Sequence, residues 1–269
     1  MISFNSRIAG DTSPVCSALP DGAIPHAWYE LGRHIVRLYS SLMYDLHVHY
    51  KAMLPPGPKI LACNHPSTVD PILLTLVAPE AMSILITERL FRVPVCGASL
   101  RFTGHIEVPL QNGRAALLQG ILALQEGRTL GIFPEGVISP ASGSCAPAHT
   151  GVARLALASG VPVIPVGIAL EPRRLWRRDT TVDGLRDVAA WYISGPYAVT
   201  VGEPLRFSGD PEDRALGRSV TDEVMGRINA LSAESAMRLL RNRAGATRPI
   251  SSIEDSLAFR LMRFLLNPV

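Results

Sequence analysis

The sequence predicts an α/β fold: a single-domain mixed sheet flanked by helices, with an amphipathic helix toward each end of the chain. Three observations carry this expectation. Short apolar runs alternate with helical stretches from residue 59 onward. Pro- and Gly-containing turn signals separate them. At 269 residues and 47% hydrophobic content, the chain can bury a full core without disulfide or metal staples.

Residues 1–25 are rich in Pro, Gly and Ser without periodicity and read as a loose arm. Across residues 26–50, Leu31, Ile35, Leu38, Leu42 and Leu46 recur at spacings of three and four, which marks an amphipathic helix with Glu30, Arg33, Arg37 and Asp45 on its other face. Such a helix packs on its own domain or lies on a membrane surface, and periodicity alone does not separate the two. Pro55, Pro56, Gly57 and Pro58 form a turn. Strands are then expected at 59–63, 82–87, 105–108, 129–133, 162–169 and 198–201, with helices at 72–77, 90–101, 114–126 and 151–159. This alternation builds one α/β domain over 51–240, its sheet covered on both faces. After Pro211 a helix runs to about Arg241, and 241–269 form a basic loop and a last amphipathic helix at 253–266. Arg238, Arg241, Arg243 and Arg248 make this tail basic, as Arg173, Arg174, Arg177 and Arg178 do beside Leu175 and Trp176. Both runs suit a solvated surface or attraction to anionic lipid.

Composition narrows the function classes. A net charge of +3 is too mild for the dense phosphate neutralisation of a nucleic-acid binder. Charged residues at 18% and a mean hydropathy of +0.21 indicate a weakly polar surface. Lysine occurs only at Lys51 and Lys59, so the cationic side chains are almost all arginine, the residue suited to bidentate anion contacts. Cys16, Cys63, Cys96 and Cys145 show neither C-x-x-C nor framework spacing, which fits a reducing compartment. The first 25 residues lack the apolar core of a secretory signal. The longest apolar stretch, 155–170, is interrupted by Gly160, Pro162 and Pro165 and falls short of the ~20 residues of a membrane span. The expectation is a cytoplasmic protein, peripheral to the inner face of the membrane.

Several chemistries lack their signatures. G-x-G-x-x-G, the P-loop, G-x-S-x-G and H-E-x-x-H do not occur. His47 and His49, two apart on the expected helix, point to different faces and make no metal pair. What remains is Asn64, His65, Pro66, Ser67, Thr68, Val69, Asp70 and Pro71, where a buried strand turns into a helix. There His65 can face Asp70 in the first helical turn, with Ser67 or Thr68 available as a cap. A neutral imidazole takes a proton from a hydroxyl while a carboxylate on its other nitrogen fixes the tautomer. No enzyme nucleophile stands beside them, so the nucleophile is the substrate's own hydroxyl.

This segment resembles the first motif, N-H-x-S-x-x-D, of the PlsC-type glycerolipid acyltransferases, and the likeness continues in order. Glu88, Leu90, Phe91, Pro94 and Gly97 are similar to E-L-F-x-x-P-x-x-G, and Gly104, Ile106 and Val108 to G-x-I-x-V-x-R. Phe133, Pro134, Glu135, Gly136 and Ser139 resemble F-P-E-G-T-R-S. Val161 to Val166 reads V-P-V-I-P-V, and Gly202 to Leu205 reads G-E-P-L. The resemblance implies acyl transfer from an acyl-CoA or acyl-carrier-protein thioester to a lipid hydroxyl, with His65 as base and Asp70 as its partner. Asn64, Ser67, Gly104, Glu135, Gly136, Arg101 and Arg114 would serve substrate binding, and neither metal nor redox cofactor is implied. The thioester oxyanion needs donors, expected among backbone amides of the catalytic turn.

Two departures bear on the acceptor. Leu110 stands where the family has an arginine, and Val137 and Ile138 replace its Thr and Arg. Apolar side chains bind no phosphate. Either Arg89, Arg92, Arg101, Arg114 or Arg154 takes over, or the acceptor is a less anionic lipid; His149 is a further candidate contact. The rival readings are a non-catalytic acyl- or lipid-binding module and slow thioester hydrolysis.

Overall fold

The computed structural model describes residues 23–110, 112–140, 145–182 and 185–244. Most of the expected arm, and the helix expected at 253–266, lie outside these residues.

The first helix, α1 (Ala23–Met43), is shorter than expected, because residues 44–50 form a strand, β1 (Tyr44–Tyr50). The segment alternates: Tyr44 is buried and Leu46 and Val48 pack on the core, while Asp45, His47 and His49 are exposed. That period of two satisfies a sheet, not a helix. His47 and His49 therefore share one strand face, with His47 Nε2 at 3.0 Å from Asp45. Among the described residues no three His, Cys, Asp or Glu side chains gather as a metal-binding group.

β2 (Ile60–Cys63), α2 (Asp70–Leu74), β3 (Met82–Thr87), α3 (Glu88–Phe91), α4 (Cys96–Phe102), β4 (Ile106–Val108), α5 (Gly113–Gln125), β5 (Thr129–Ile132), α6 (Gly151–Ser159) and β6 (Val163–Leu170) follow in order. The single helix expected at 90–101 is split into α3 and α4 around Pro94, where Val95 adopts a φ of 65°. Two further strands, β7 (Leu175–Val182) and β8 (Leu185–Tyr192), form an antiparallel ribbon that the sequence reading missed. β9 (Gly195–Val201) and the long α7 (Arg214–Ala244) complete the domain.

The main sheet has the order β1-β9-β6-β2-β5-β3-β4. The pairs from β6 through β4 are parallel, β9 runs antiparallel to β6, and β1 is parallel to β9. β2 lies in the middle, buried along its length, and alternates its side chains between two cores. Leu61 and Cys63 join Leu73, Leu74, Phe133, Tyr44, Tyr192 and Tyr197 on one face. Ile60 and Ala62 join α5, α6 and α7 on the other. α7 crosses β6 so closely that a Cβ on Gly167 would stand 2.1 Å from the Ser232 amide nitrogen. No described helix is long and apolar enough to cross a membrane.

α1 presents its apolar stripe outward. Tyr29, Arg33 and Ser40 are buried against the domain, where Tyr29 Oη accepts from the Met82 amide at 3.0 Å and Arg33 donates to the Pro79 carbonyl. Leu31, Ile35, Leu38 and Leu42 are 52–74% exposed.

Candidate active site

The site forms where β2 ends. Asn64 fixes that end: its side-chain amide donates to the Ile168 carbonyl at 2.9 Å, and its Oδ1 accepts from the Ile168 amide at 2.7 Å. This buried residue thus ties β2 to β6. The chain then turns through Pro66 to Val69 into α2. The helix carries no side-chain cap; its N-cap is Val69, not Ser67 or Thr68. Instead the Asp70 carboxylate reaches back to the Ser67 amide at 2.7 Å, and the Ser67 hydroxyl donates to the Ala190 carbonyl of β8 at 3.0 Å.

His65 Nδ1 lies 2.9 Å from Asp70 Oδ2. Asp70 is fully buried, and its other oxygen accepts from the Tyr197 hydroxyl of β9 at 2.6 Å. The imidazole stacks on Phe133 with centroids 4.3 Å apart and retains 17% side-chain exposure. In the neutral tautomer whose Nδ1 donates to the carboxylate, Nε2 presents its lone pair, and it has no partner among the described residues. The pair can therefore accept a proton from a hydroxyl brought to Nε2.

The loop after β5 clasps the backbone of His65. Glu135, 1% exposed, accepts from the His65 amide at 2.9 Å and the Ser139 hydroxyl at 2.7 Å through one oxygen, and from the Ala146 amide at 2.5 Å through the other. The Ser139 amide donates to the His65 carbonyl at 2.8 Å. Gly136 makes the turn possible with a φ of 65°, and the exposed His149 ring lies beside it. The ribbon holds both loops: the Thr68 amide donates to the Ala190 carbonyl at 2.7 Å, and Arg177 donates to the Ser139 carbonyl at 2.9 Å.

The remaining sequence candidates sit elsewhere. Gly104 is a buried turn glycine before β4 whose added Cβ would strike the Arg128 guanidinium. Arg101 donates to Glu107 at 3.0 Å and to the Phe91 carbonyl at 3.1 Å. Arg92 pairs with Glu88 at 2.8 Å. Arg114 is exposed in the first turn of α5, and Arg154 lines a shallow groove between α6 and the start of α7. The amides of His65, Ser67, Thr68, Val69 and Asp70 all have acceptors, so the expected oxyanion donors are not at this turn. Tyr197, Phe133 and Ala190 were missed as site residues. For Tyr197 a signal existed, since Tyr197, Val199 and Val201 keep the two-residue period that marks one strand face.

The fold is thus a mostly parallel α/β sheet with a His–Asp pair at the end of its central strand. Residues 45–169 of the chain match the family model described as Acyltransferase. The chain is 30% identical over 110 residues to the 1-acyl-sn-glycerol-3-phosphate acyltransferase of Borreliella burgdorferi, a match covering 40% of this chain and 44% of that protein. In fold it is similar to the 1-acyl-sn-glycerophosphate (LPA) acyltransferase PlsC of Thermotoga maritima. The likeness has a TM-score of 0.51 at 20% identity and covers 77% of this chain and 80% of that one.

Proposed function

We propose that the protein transfers a fatty acyl group from an acyl-CoA or acyl-carrier-protein thioester to a hydroxyl of a lysophospholipid or related glycerolipid. The observation that carries this reading is the 2.9 Å contact of His65 Nδ1 with a fully buried carboxylate, which leaves Nε2 without a protein partner. The acceptor hydroxyl gives its proton to Nε2 as its oxygen bonds to the thioester carbonyl carbon. The tetrahedral intermediate then expels the thiolate, which takes the proton back from the imidazolium. Asp70 holds the productive tautomer and steadies that cation. Every atom and proton is supplied by the two substrates and His65, so the step requires neither metal nor redox cofactor. Among the described residues the amides of Val137 and Ile138 have no hydrogen-bond acceptor, which makes them our candidates for the oxyanion donors.

A less anionic acceptor is favoured by one further observation. Leu110 and Val137, at or beside positions where the family carries arginine, are 53% and 56% exposed and offer apolar surface. Arg177 is the guanidinium that the ribbon brings to the Ser139 loop. The outward stripe of α1 suits a helix lying in a lipid interface at the inner face of the membrane, close to where such an acceptor resides.

The test supplies purified protein with labelled acyl-CoA and acyl carrier protein and a panel of phosphorylated and neutral lysolipids, with products read by mass spectrometry. His65→Ala should lower transfer by at least ~100-fold while remaining folded. Unchanged transfer in that variant refutes the mechanism, and donor binding with no product on any acceptor favours the non-catalytic module.

A further inference from the structure

We infer that Tyr197 is a positioning residue for the His65–Asp70 pair, its hydroxyl holding the carboxylate in the one orientation that serves the imidazole. The inference rests on the acyl-transfer reading and adds to it a residue outside every motif discussed above.

Asp70 is fully buried, and among the described residues no lysine or arginine pairs with it. Its charge is therefore balanced by hydrogen-bond donors. Oδ2 receives the Ser67 amide at 2.7 Å and the His65 ring, and among the described residues Oδ1 receives only Tyr197 Oη at 2.6 Å. A carboxylate in this setting is mobile about its last torsion unless both oxygens are held. Tyr197 is itself completely buried on β9, paired in register with Leu46 of β1 and Leu170 of β6. The hydroxyl is thus delivered by the sheet, and the bond is anchored independently of the catalytic turn.

The surroundings leave Tyr197 as the effective donor. Cys63 on β2, Tyr44 on β1 and Tyr192 on β8 are the other titratable groups behind the carboxylate, and burial raises all three and keeps them neutral. Tyr44 donates to the Tyr192 carbonyl and Tyr192 to the Pro196 carbonyl, so neither hydroxyl is spent on Asp70. Tyr197 is likewise raised well above the usual phenol range, by burial first and then by the Asp70 charge, so it remains a donor at any working pH. On the opposite side of the imidazole, Glu135 faces the His65 backbone and Arg177 the Ser139 carbonyl.

Without this hydroxyl, Oδ1 is a buried acceptor with no partner, and the pair gains affinity for a proton it must not hold before the substrate arrives. Tyr197→Phe keeps the ring and its packing and removes only the donor. The acid limb of the pH profile of kcat/KM should move upward by about one pH unit, since a bond to a charged group is worth roughly that much. At neutral pH, kcat should fall about tenfold or more, with KM for both substrates nearly unchanged.

A purely structural role predicts instead a lower melting temperature with an unmoved acid limb. The second measurement needs no turnover: the His65 imidazole is titrated by nitrogen-resolved NMR in the wild type and in Tyr197→Phe. An upward shift of its midpoint supports the inference even if no acceptor is acylated, in which case the acyl-transfer reading fails alone. An active wild type whose acid limb and imidazole titration are both unmoved by Tyr197→Phe overturns it.

Discussion

Replacing Glu135 by glutamine tests whether the loop after β5 sets the position of the His65 imidazole. The carboxylate accepts three hydrogen bonds, from the His65 amide, the Ser139 hydroxyl and the Ala146 amide, at 1% exposure. Glutamine keeps one acceptor oxygen and turns the other into a donor. Facing one way, its amino group meets the Ala146 N–H; facing the other, it meets the His65 N–H, and only Ser139 can turn its hydroxyl to accommodate it. The first orientation strands the Ala146 amide, which costs about 1–3 kcal/mol, and the second leaves the His65 amide only the Ser139 hydroxyl oxygen at 3.1 Å. The bonds that survive lose their charge assistance and weaken by roughly half. The sum, about 2–4 kcal/mol, corresponds in a chain of this size to a melting temperature lower by about 5–10 °C. Because the His65 amide loses its charged acceptor in either orientation, the imidazole shifts as well, and a displacement of about 1 Å costs on the order of 100-fold in turnover. Thermal unfolding followed by circular dichroism, paired with steady-state acyl transfer, reads both effects. A Glu135→Gln protein that melts within about 1 °C of the wild type and turns over at an undiminished rate would show that the clasp contributes nothing.

Two further outcomes follow from the same coordinates. Burial, aided by the Arg128 guanidinium, lowers the His105 imidazole to about 4 from an ordinary 6.5, and its Nδ1 accepts from the Ile84 amide at 3.2 Å. The unfolded chain then binds a proton that the native state refuses between those values, so stability should decline as pH falls from 6.5 to 4, by roughly 3 kcal/mol. Urea unfolding across that range should show the decline in the wild type and a flatter profile in His105→Asn, and equal slopes would contradict the assignment. Placing aspartate at Leu38 and Leu42, which are 61% and 74% exposed, should leave the fold intact and abolish flotation with anionic phospholipid vesicles. Undiminished flotation would remove α1 from the interface.

The alternation of elements was legible because β2, β3, β5 and β6 are short apolar runs bounded by turns, and α6 matched residue for residue. Residues 44–50 were misread because Leu46 extends the helical spacing of Leu42, whereas the decisive partner, β9, lies about 150 residues away. The outward stripe of α1 was undecidable for a related reason. Periodicity gives a face but not its neighbour, and here Tyr29 and Arg33 find hydrogen bonds inside while the leucines do not. At the site, the spacing of His65 and Asp70 was readable as a motif. Asn64 and Ser67 are buried and bonded to neighbouring strands, which the motif spacing alone did not reveal. Ala190 was invisible because only the ribbon brings it to the turn, and the strand period of Tyr197 marked a face without revealing Asp70 as its partner.

The ribbon of β7 and β8 has a consequence for how activity arises. A lone two-stranded hairpin is marginal in water, yet this one is fastened to the catalytic turn through Thr68 and Ala190, 122 residues apart, and to the following loop through Arg177. Each stabilises the other, and neither is complete while the downstream half of the chain is missing. On a growing polypeptide the turn gains its contacts with Ala190 and Tyr197 only after residue 197 has been added.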